Sequence, residues 1–233
     1  MSCDVAHALF DIVTFDCYGT LVDWESGIVD AFEEAMERDG IRIERDDILR
    51  AYAAIEPLVE QERYRSYREV LTETASRVAN MYGWPLAYSR AGFLAESLPR
   101  WKAFADTNES LHRLRDANIR LGILTNCDDD LIAATIRNQF TVSFDLVITA
   151  QQVLSYKPAP AHFLTARERI GDARWLHAAQ SNFHDIVPAN VFNIPNAWIN
   201  RKHESPLAGG VPFREFADMR AFAEWITSRS TGA

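Results

Sequence analysis

Cysteine is scarce in this chain of 233 residues, which has only Cys3, Cys17 and Cys127. An odd set of three, with no Cys-x-x-Cys spacing, excludes a disulfide framework and offers no zinc pattern. The thiols are expected to be reduced, with Cys17 and Cys127 as small pocket walls at strand ends. Positive charge is scarce too: 24 Lys and Arg stand against 33 Asp and Glu, for a net charge of -9 and a pI near 5.2. No broad basic face is left for nucleic acid or an anionic membrane, so an anionic substrate would be met by a few placed cations. No stretch approaches the roughly 20 apolar residues that span a bilayer, and Met1 to Phe10 has no basic segment followed by a long apolar core. The expectation is a cytoplasmic enzyme whose partner is a small molecule. Internal repeats and low-complexity tracts are absent as well.

At 48% hydrophobic residues the chain can build one large core and a smaller one. Short apolar runs recur between helical patterns: Ile12 to Phe15, Ile119 to Leu124, Leu146 to Thr149, Trp175 to Ala179 and Ala197 to Ile199. That alternation predicts an α/β fold, a doubly wound, Rossmann-like parallel sheet with helices on both faces. Between the first two runs only helical patterns occur, such as Ile28, Val29, Phe32, Ala35 and Met36 at helix spacing. Residues 24–100 are therefore expected to form an inserted α-helical cap domain, and residues 1–23 with 101–233 the α/β core. Helices are expected over Glu25 to Asp39, Asp46 to Glu60, Ser66 to just before Gly83, and Tyr88 to Ser97. Gly40, Gly83-Trp84-Pro85 and Pro99 are the natural breaks, and Ser205 to Pro212 reads as a surface loop.

The first apolar run ends in Asp16-Cys17-Tyr18-Gly19-Thr20-Leu21. A carboxylate at the carboxyl edge of a parallel strand stands where ligands bind in open α/β sheets, and Gly19 permits the tight turn beside it. This stretch resembles the signature of the haloacid dehalogenase superfamily, a strand followed by Asp-x-Asp-Gly-Thr whose first Asp attacks the substrate. Tyr18 replaces the second Asp. In phosphatase branches that acid gives a proton to a departing alkoxide, whereas a halide leaves as a stable anion without one. The pattern is thus similar to the type II 2-haloacid dehalogenase branch.

Three further elements extend the resemblance over nearly the whole chain. Leu121 to Asn126 is a strand ending in a hydroxyl and an amide, which can hold a carboxylate or oxyanion without adding charge. Asp128, Asp129 and Asp130 then read as an acidic helix start. Lys157-Pro158 supplies a lysine that, in the resembled family, reaches the nucleophile and keeps neighbouring carboxylates ionised. Gln180 to Asp185 retains one acid, Asp185, where phosphatases carry two; a hard Mg²⁺ ion wants several oxygen ligands, so no metal or other cofactor is expected. Magnesium belongs to the phosphatase alternative.

The resemblance implies Asp16, Lys157 and Asp185 as catalytic residues, with Tyr18, Thr20, Thr125, Asn126 and Asn182 at the substrate. Departures are Phe163 in place of a tyrosine, His184 in place of a tryptophan, and the halide-binding arginine. Leu49-Arg50-Ala51-Tyr52-Ala53-Ala54 has no arginine at the matching position, and one residue of offset turns a helical side chain by about 100°. Arg65 or Arg68 is expected to substitute, either to bind carboxylate or halide or simply to form surface pairs. Glu56 and Glu62 are equally placed to line a pocket suited to another substrate. The resulting expectation is hydrolysis of a small 2-haloalkanoic acid through an aspartyl ester; members of the resembled family are often dimers, which implies a homodimer here as well. The alternatives are a Mg²⁺-dependent phosphatase and a catalytically idle domain that binds a small acid or a protein. His112, His162 and His177 read as core or surface histidines.

Overall fold

The computed structural model describes residues 9–228, so Cys3 and most of the Met1 to Phe10 stretch lie outside the described residues. Six strands form one sheet: β1 (Ile12–Phe15), β2 (Arg120–Thr125), β3 (Leu146–Thr149), β4 (Trp175–Ala179), β5 (Asn196–Ile199) and β6 (Arg214–Phe216). Their order is β3-β2-β1-β4-β5-β6, and every neighbouring pair is parallel. The chain winds outward from β1 to β3, then crosses back to β4 on the other side of β1. The point where the winding reverses, between β1 and β4, is where such sheets open a crevice at their carboxyl edge. β1 is buried at all four positions, as its β-branched and aromatic residues require of a central strand. β6 was not anticipated, because it is three residues long with two of them exposed.

Helices cover both faces of the sheet. On one, Phe15 of β1 meets Phe222 of α10 (Met219–Thr227) edge to face, with α5 (Thr107–Asp116) packed beside α10. On the other, Ile12, Leu124 and Ile148 pack with Phe163, Ala166 and Ile170 of α8 (Ala161–Ile170). Shorter helices α6 (Asp129–Gln139), α7 (Ala150–Val153) and α9 (Val187–Val191) complete the winding.

Between β1 and β2 lie α1 (Trp24–Asp39), α2 (Arg45–Glu62), α3 (Tyr67–Met81) and α4 (Phe93–Ser97). Their ends follow local chemistry. Asp23 caps α1 by accepting from Ser26 N, and Gly40 ends it in the left-handed region at φ 65°. Ser66 and Glu69 form a capping box at the start of α3. The expected fourth helix splits, with a tight turn at Tyr88–Arg90 followed by α4. One apolar cluster runs from Val13 and Phe15 through Leu21 and Ile28 to Val70 and Leu71, so the helical insertion shares its core with the sheet.

Asp128 strengthens that junction in an unexpected way. Its carboxylate does not cap its own helix α6; it accepts from the backbone N–H of Tyr67 (2.8 Å) and Arg68 (2.9 Å), the first turn of α3. The acid of the sheet layer thus caps a helix of the insertion and fixes α3 above the strand edge. No helix among the described residues is long and apolar enough to cross a membrane.

Candidate active site

Asp16 follows β1 directly, and its N–H continues the ladder to Ala178 O at 3.2 Å. The chain then folds back on itself, with Leu21 N and Val22 N both donating to Cys17 O and Gly19 at φ 101°. A side chain at Gly19 would be strained and would crowd Gln180 and Trp24. The turn returns Thr20 to the carboxylate: Thr20 Oγ1 donates to Asp16 Oδ2 at 3.0 Å and accepts from Gln180 N at 2.8 Å.

Lys157 arrives from the loop before α8 and is 2% exposed. Its Nζ donates to Asp16 Oδ1 (2.9 Å), Asp185 Oδ1 (2.6 Å) and Leu124 O (2.9 Å). All three ammonium hydrogens are used, so Lys157 is a fixed positive charge between two acids. Burial alone would lower its pKa, yet the two carboxylates outweigh it and raise the pKa above the ordinary value. Asp185 sits in a short helical turn, Asn182–Ile186, and burial pushes its pKa up. Lys157 and a hydrogen bond from His177 outweigh that and hold it at about 2. Asp16 lies on the other side of the balance: burial and Asp185 raise its pKa more than Lys157 and Thr20 lower it.

His177 is the residue that sequence reading set aside. It stands on β4 in register with Thr14, its Nε2 2.9 Å from Asp185 Oδ1 and its Nδ1 2.8 Å from Thr14 Oγ1. Trp175 Nε1 donates to the same Thr14 oxygen at 2.7 Å. Thr14 can therefore give its own hydrogen to Nδ1, which leaves Nε2–H to donate to the carboxylate. The available signal was a histidine inside an otherwise apolar central strand. His162 is also buried, bonds to Thr125 O at 3.0 Å, and has its pKa lowered to about 3 by burial and by Lys157. It supports the end of β2 as a neutral side chain.

Above these groups is a cavity of about 290 Å³. Asp16, Thr125, Asn126, Lys157 and Asp185 form its floor, and Trp24, Tyr52, Glu56, Glu60, Tyr67 and Trp101 of the insertion and its flanks form its walls and roof. Gly27 makes room for Trp101, whose ring would lie 2.2 Å from any Cβ placed there. Two polar atoms at the floor, Thr125 Oγ1 and Asp185 Oδ2, are buried without a hydrogen-bond partner. Burial pushes the Glu56 carboxyl up to about 7, and burial together with Glu56 pushes Glu60 up to about 10.

Several expected site residues are placed as anticipated and others are not. Asp16, Lys157 and Asp185 meet directly, with Thr20 against Asp16 and Thr125 facing the cavity. Tyr18 lines it too, but its hydroxyl bonds to Thr135 Oγ1 at 2.9 Å. Asn126 is committed largely to the backbone of Lys157, accepting from its N–H at 2.7 Å and donating to its O at 3.1 Å. Asn182 does not line the cavity; it donates to Gly210 O and accepts from Leu207 N, pinning the loop of residues 205–212. Arg65 and Arg68 do not line it either. Arg65, in the link before α3, pairs with Glu62, and Arg68, on the first turn of α3, pairs with Asp130. No arginine is among the lining residues, whereas sequence reading had expected one.

A magnesium ion, which phosphatase relatives of this fold would imply, finds a poor donor set here. Three of the four carboxylate oxygens of Asp16 and Asp185 are already bonded to Lys157, Thr20 or His177, and Tyr18 offers no acid. Among the described residues no group of three or more His, Cys, Asp or Glu is arranged to hold a metal. Hard divalent ions need more oxygens in a regular shell.

A doubly wound parallel sheet, presenting a lysine-paired carboxylate at its switch point under a helical roof, defines an α/β enzyme core. Comparison with known proteins gives its family: a model described as haloacid dehalogenase-like hydrolase matches residues 10–179, and the chain belongs to that family. It is 27% identical over 195 residues to an (S)-2-haloacid dehalogenase of Pseudomonas putida, covering 82% of this chain and 85% of the relative. It is 29% identical over 196 residues to haloacetate dehalogenase H-2 of Moraxella sp. (strain B), covering 82% and 86%. The L-2-haloacid dehalogenase structure from Xanthobacter autotrophicus superposes with a TM-score of 0.80 at 20% identity, over 95% of this chain and 100% of that one.

Proposed function

We propose that this hydrolase cleaves the carbon–halogen bond of a small 2-haloalkanoic acid, without a metal, through an ester on Asp16. The supporting observation is Lys157 held between Asp16 and Asp185 with every hydrogen used and Asp185 Oδ2 left free. An Asp16 oxygen attacks the carbon that bears the halogen; a C–O bond forms and the halide departs with the bonding electrons. It needs no proton, in keeping with Tyr18 in place of an acid and its hydroxyl tied to Thr135. Lys157 stabilises the ionised nucleophile while Thr20 fixes its orientation.

Water then attacks the Asp16 carbonyl carbon, losing its proton toward Asp185 Oδ2. The oxyanion that develops is met by Lys157 and by the Thr125 hydroxyl at the strand edge. The acyl C–O bond breaks, the departing alkoxide takes up the proton held on Asp185, and the 2-hydroxy acid leaves, carrying an oxygen that began on Asp16. Two moderate steps replace one difficult displacement. Names borne by the relatives at 27% and 29% identity favour this chemistry over phosphoryl transfer.

The test is halide release from (S)-2-chloropropionate, chloroacetate and fluoroacetate in EDTA, beside Asp16→Asn. Release that requires Asp16 and survives EDTA is expected. One turnover in ¹⁸O-water should put label into Asp16 first; label found only in the product would overturn the ester route. Phosphate release dependent on Mg²⁺ would replace the reading with the phosphatase one.

A further inference from the structure

The cavity has four carboxyl groups on its lining, Asp16, Asp185, Glu56 and Glu60, and one cation, Lys157. Lys157 is already spent on Asp16 and Asp185. The two glutamates, on the α2 side of the cavity, form no ion pair among the described residues. They are part of one face of α2, since Tyr52, Glu56 and Glu60 follow at four-residue spacing. Glu56 is oriented by a hydroxyl chain: Tyr67 donates to its Oε1 at 3.2 Å, and the Tyr52 hydroxyl lies 3.3 Å from that of Tyr67. Glu60 makes no ion pair or hydrogen bond among the described residues, and Glu56 and Lys157 are the charged groups that act on it.

The walls beside them are aromatic. Trp24 and Tyr52 are 5.6 Å apart between ring centroids, and Tyr67 and Trp101 are nearly fully buried. Rings and carboxylates together are what an organic cation needs: faces with negative potential and a counter-charge in low dielectric. Burial raises the Glu56 pKa to about 7, and burial together with Glu56 raises that of Glu60 to about 10, so both are held toward the protonated form, which a bound cation would reverse. A neutral alkyl group would leave two carboxyls facing apolar surface, at the cost that burying unpaired polar groups carries.

We propose that the substrate carries an ammonium group at the end remote from the reacting carbon, seated between Glu56 and Glu60 against Trp24, Tyr52 and Tyr67. Resting on the dehalogenase reading, this makes the substrate a 2-haloalkanoate whose side chain ends in a primary to quaternary ammonium. The unpartnered Thr125 and Asp185 atoms mark the reacting floor, and the glutamates stand on the α2 side of the same cavity.

Two measurements separate this inference from the reading beneath it. The first is calorimetric binding of 4-(trimethylammonio)butanoate against its isostere 5,5-dimethylhexanoate, in which a tert-butyl group replaces the cation; neither involves a carbon–halogen bond. The cation should bind about tenfold tighter or more, and the preference should vanish in Glu56→Gln/Glu60→Gln. Equal or weaker binding of the cation by the wild-type protein overturns the proposal, whether or not the double variant folds. The second is halide release from 2-chloro-4-(trimethylammonio)butanoate and from 2-chloropropionate. Binding of the cation without release from either compound keeps the ammonium site and removes the dehalogenase reading. Release from 2-chloropropionate with no preference for the cation does the reverse.

Discussion

Asn126 and Lys157 hold each other by two reciprocal hydrogen bonds, Lys157 N to Asn126 Oδ1 at 2.7 Å and Asn126 Nδ2 to Lys157 O at 3.1 Å. The side chain at the end of β2 thereby acts as a backbone partner for a loop that has no strand to pair with. It fixes the direction in which Lys157 leaves the chain, and so the place of the ammonium between the two acids.

Asn126→Ala should therefore act through Lys157. The expected loss is about tenfold or more in kcat with KM changed less, because misplacing a charged group by a fraction of an ångström weakens transition-state stabilisation. Measured on top of Lys157→Met, the same substitution should cost far less than it does alone, since the group it positions is gone. Equal losses in both backgrounds would show that Asn126 acts on substrate directly.

The pH profile follows from the same cluster. Burial and Asp185 raise the pKa of Asp16 above its ordinary 3.8. The ionised form is the proposed nucleophile, so single-turnover rate should fall as pH drops through this raised value, giving an acid limb above the usual carboxylate range. Lys157→Met removes the group that favours ionisation and leaves two acids facing each other. The limb should then move to higher pH. A limb that stays put would mean a different group controls it.

How much of this was legible in the chain depends on what each residue obeys. β1, β3 and β4 were bounded correctly because each is a continuous apolar run with clear ends, the edge strand β3 included, whereas β6 shows no such run and owes its pairing to β5. Asp16 and Asp185, after strands, and Lys157, in the loop before α8, were visible as motif residues, and Lys157 bonds to both acids. Asn182, Arg65 and Arg68 were misplaced because facing depends on which way a helix or loop is turned by tertiary contacts, such as Asp128 capping α3. Glu56 was noted, but the pairing of Glu56 with Glu60 required knowing that this face of α2 roofs the site. His177 showed only as a histidine in an apolar strand, since its role comes from Thr14 and Asp185 on other segments.

His177→Phe tests that role. The ring fills similar space but removes the donor to Asp185 Oδ1 and leaves Thr14 with one partner fewer. Losing a buried hydrogen bond to a charged group costs on the order of 1–3 kcal/mol. Stability should fall by that amount in urea unfolding. Asp185 should also lose one of the influences that hold its pKa near 2, so hydrolysis of the ester should slow more than its formation. Trapped ester detected by mass spectrometry after a short incubation with substrate is the expected signature, and wild-type ester levels would rule it out.

Glu60 offers a prediction about stability that needs no substrate. Burial and Glu56 raise its pKa to about 10, against an ordinary 4.5. The folded protein therefore holds this proton more tightly than the unfolded chain, and the sign follows from linkage. Below pH 4.5 the group is protonated in both states and its contribution is intact; as pH rises from there toward 10, the unfolded chain gains by ionising and the folded state loses ground. Glu60→Gln removes the ionisation and keeps the size. Its Tm should match wild type near pH 4.5 and exceed it increasingly up to pH 9, where each kcal/mol gained corresponds to about 2–4 °C for a chain of this length. An ammonium ligand that binds at the glutamates should abolish that advantage, because it stabilises the ionised wild type and has less to hold in the variant. Thermal melts of both proteins at pH 5 and pH 9, with and without 4-(trimethylammonio)butanoate, give the four values needed. A variant less stable than wild type at pH 9 would mean that Glu60 is ionised and already compensated in the empty cavity.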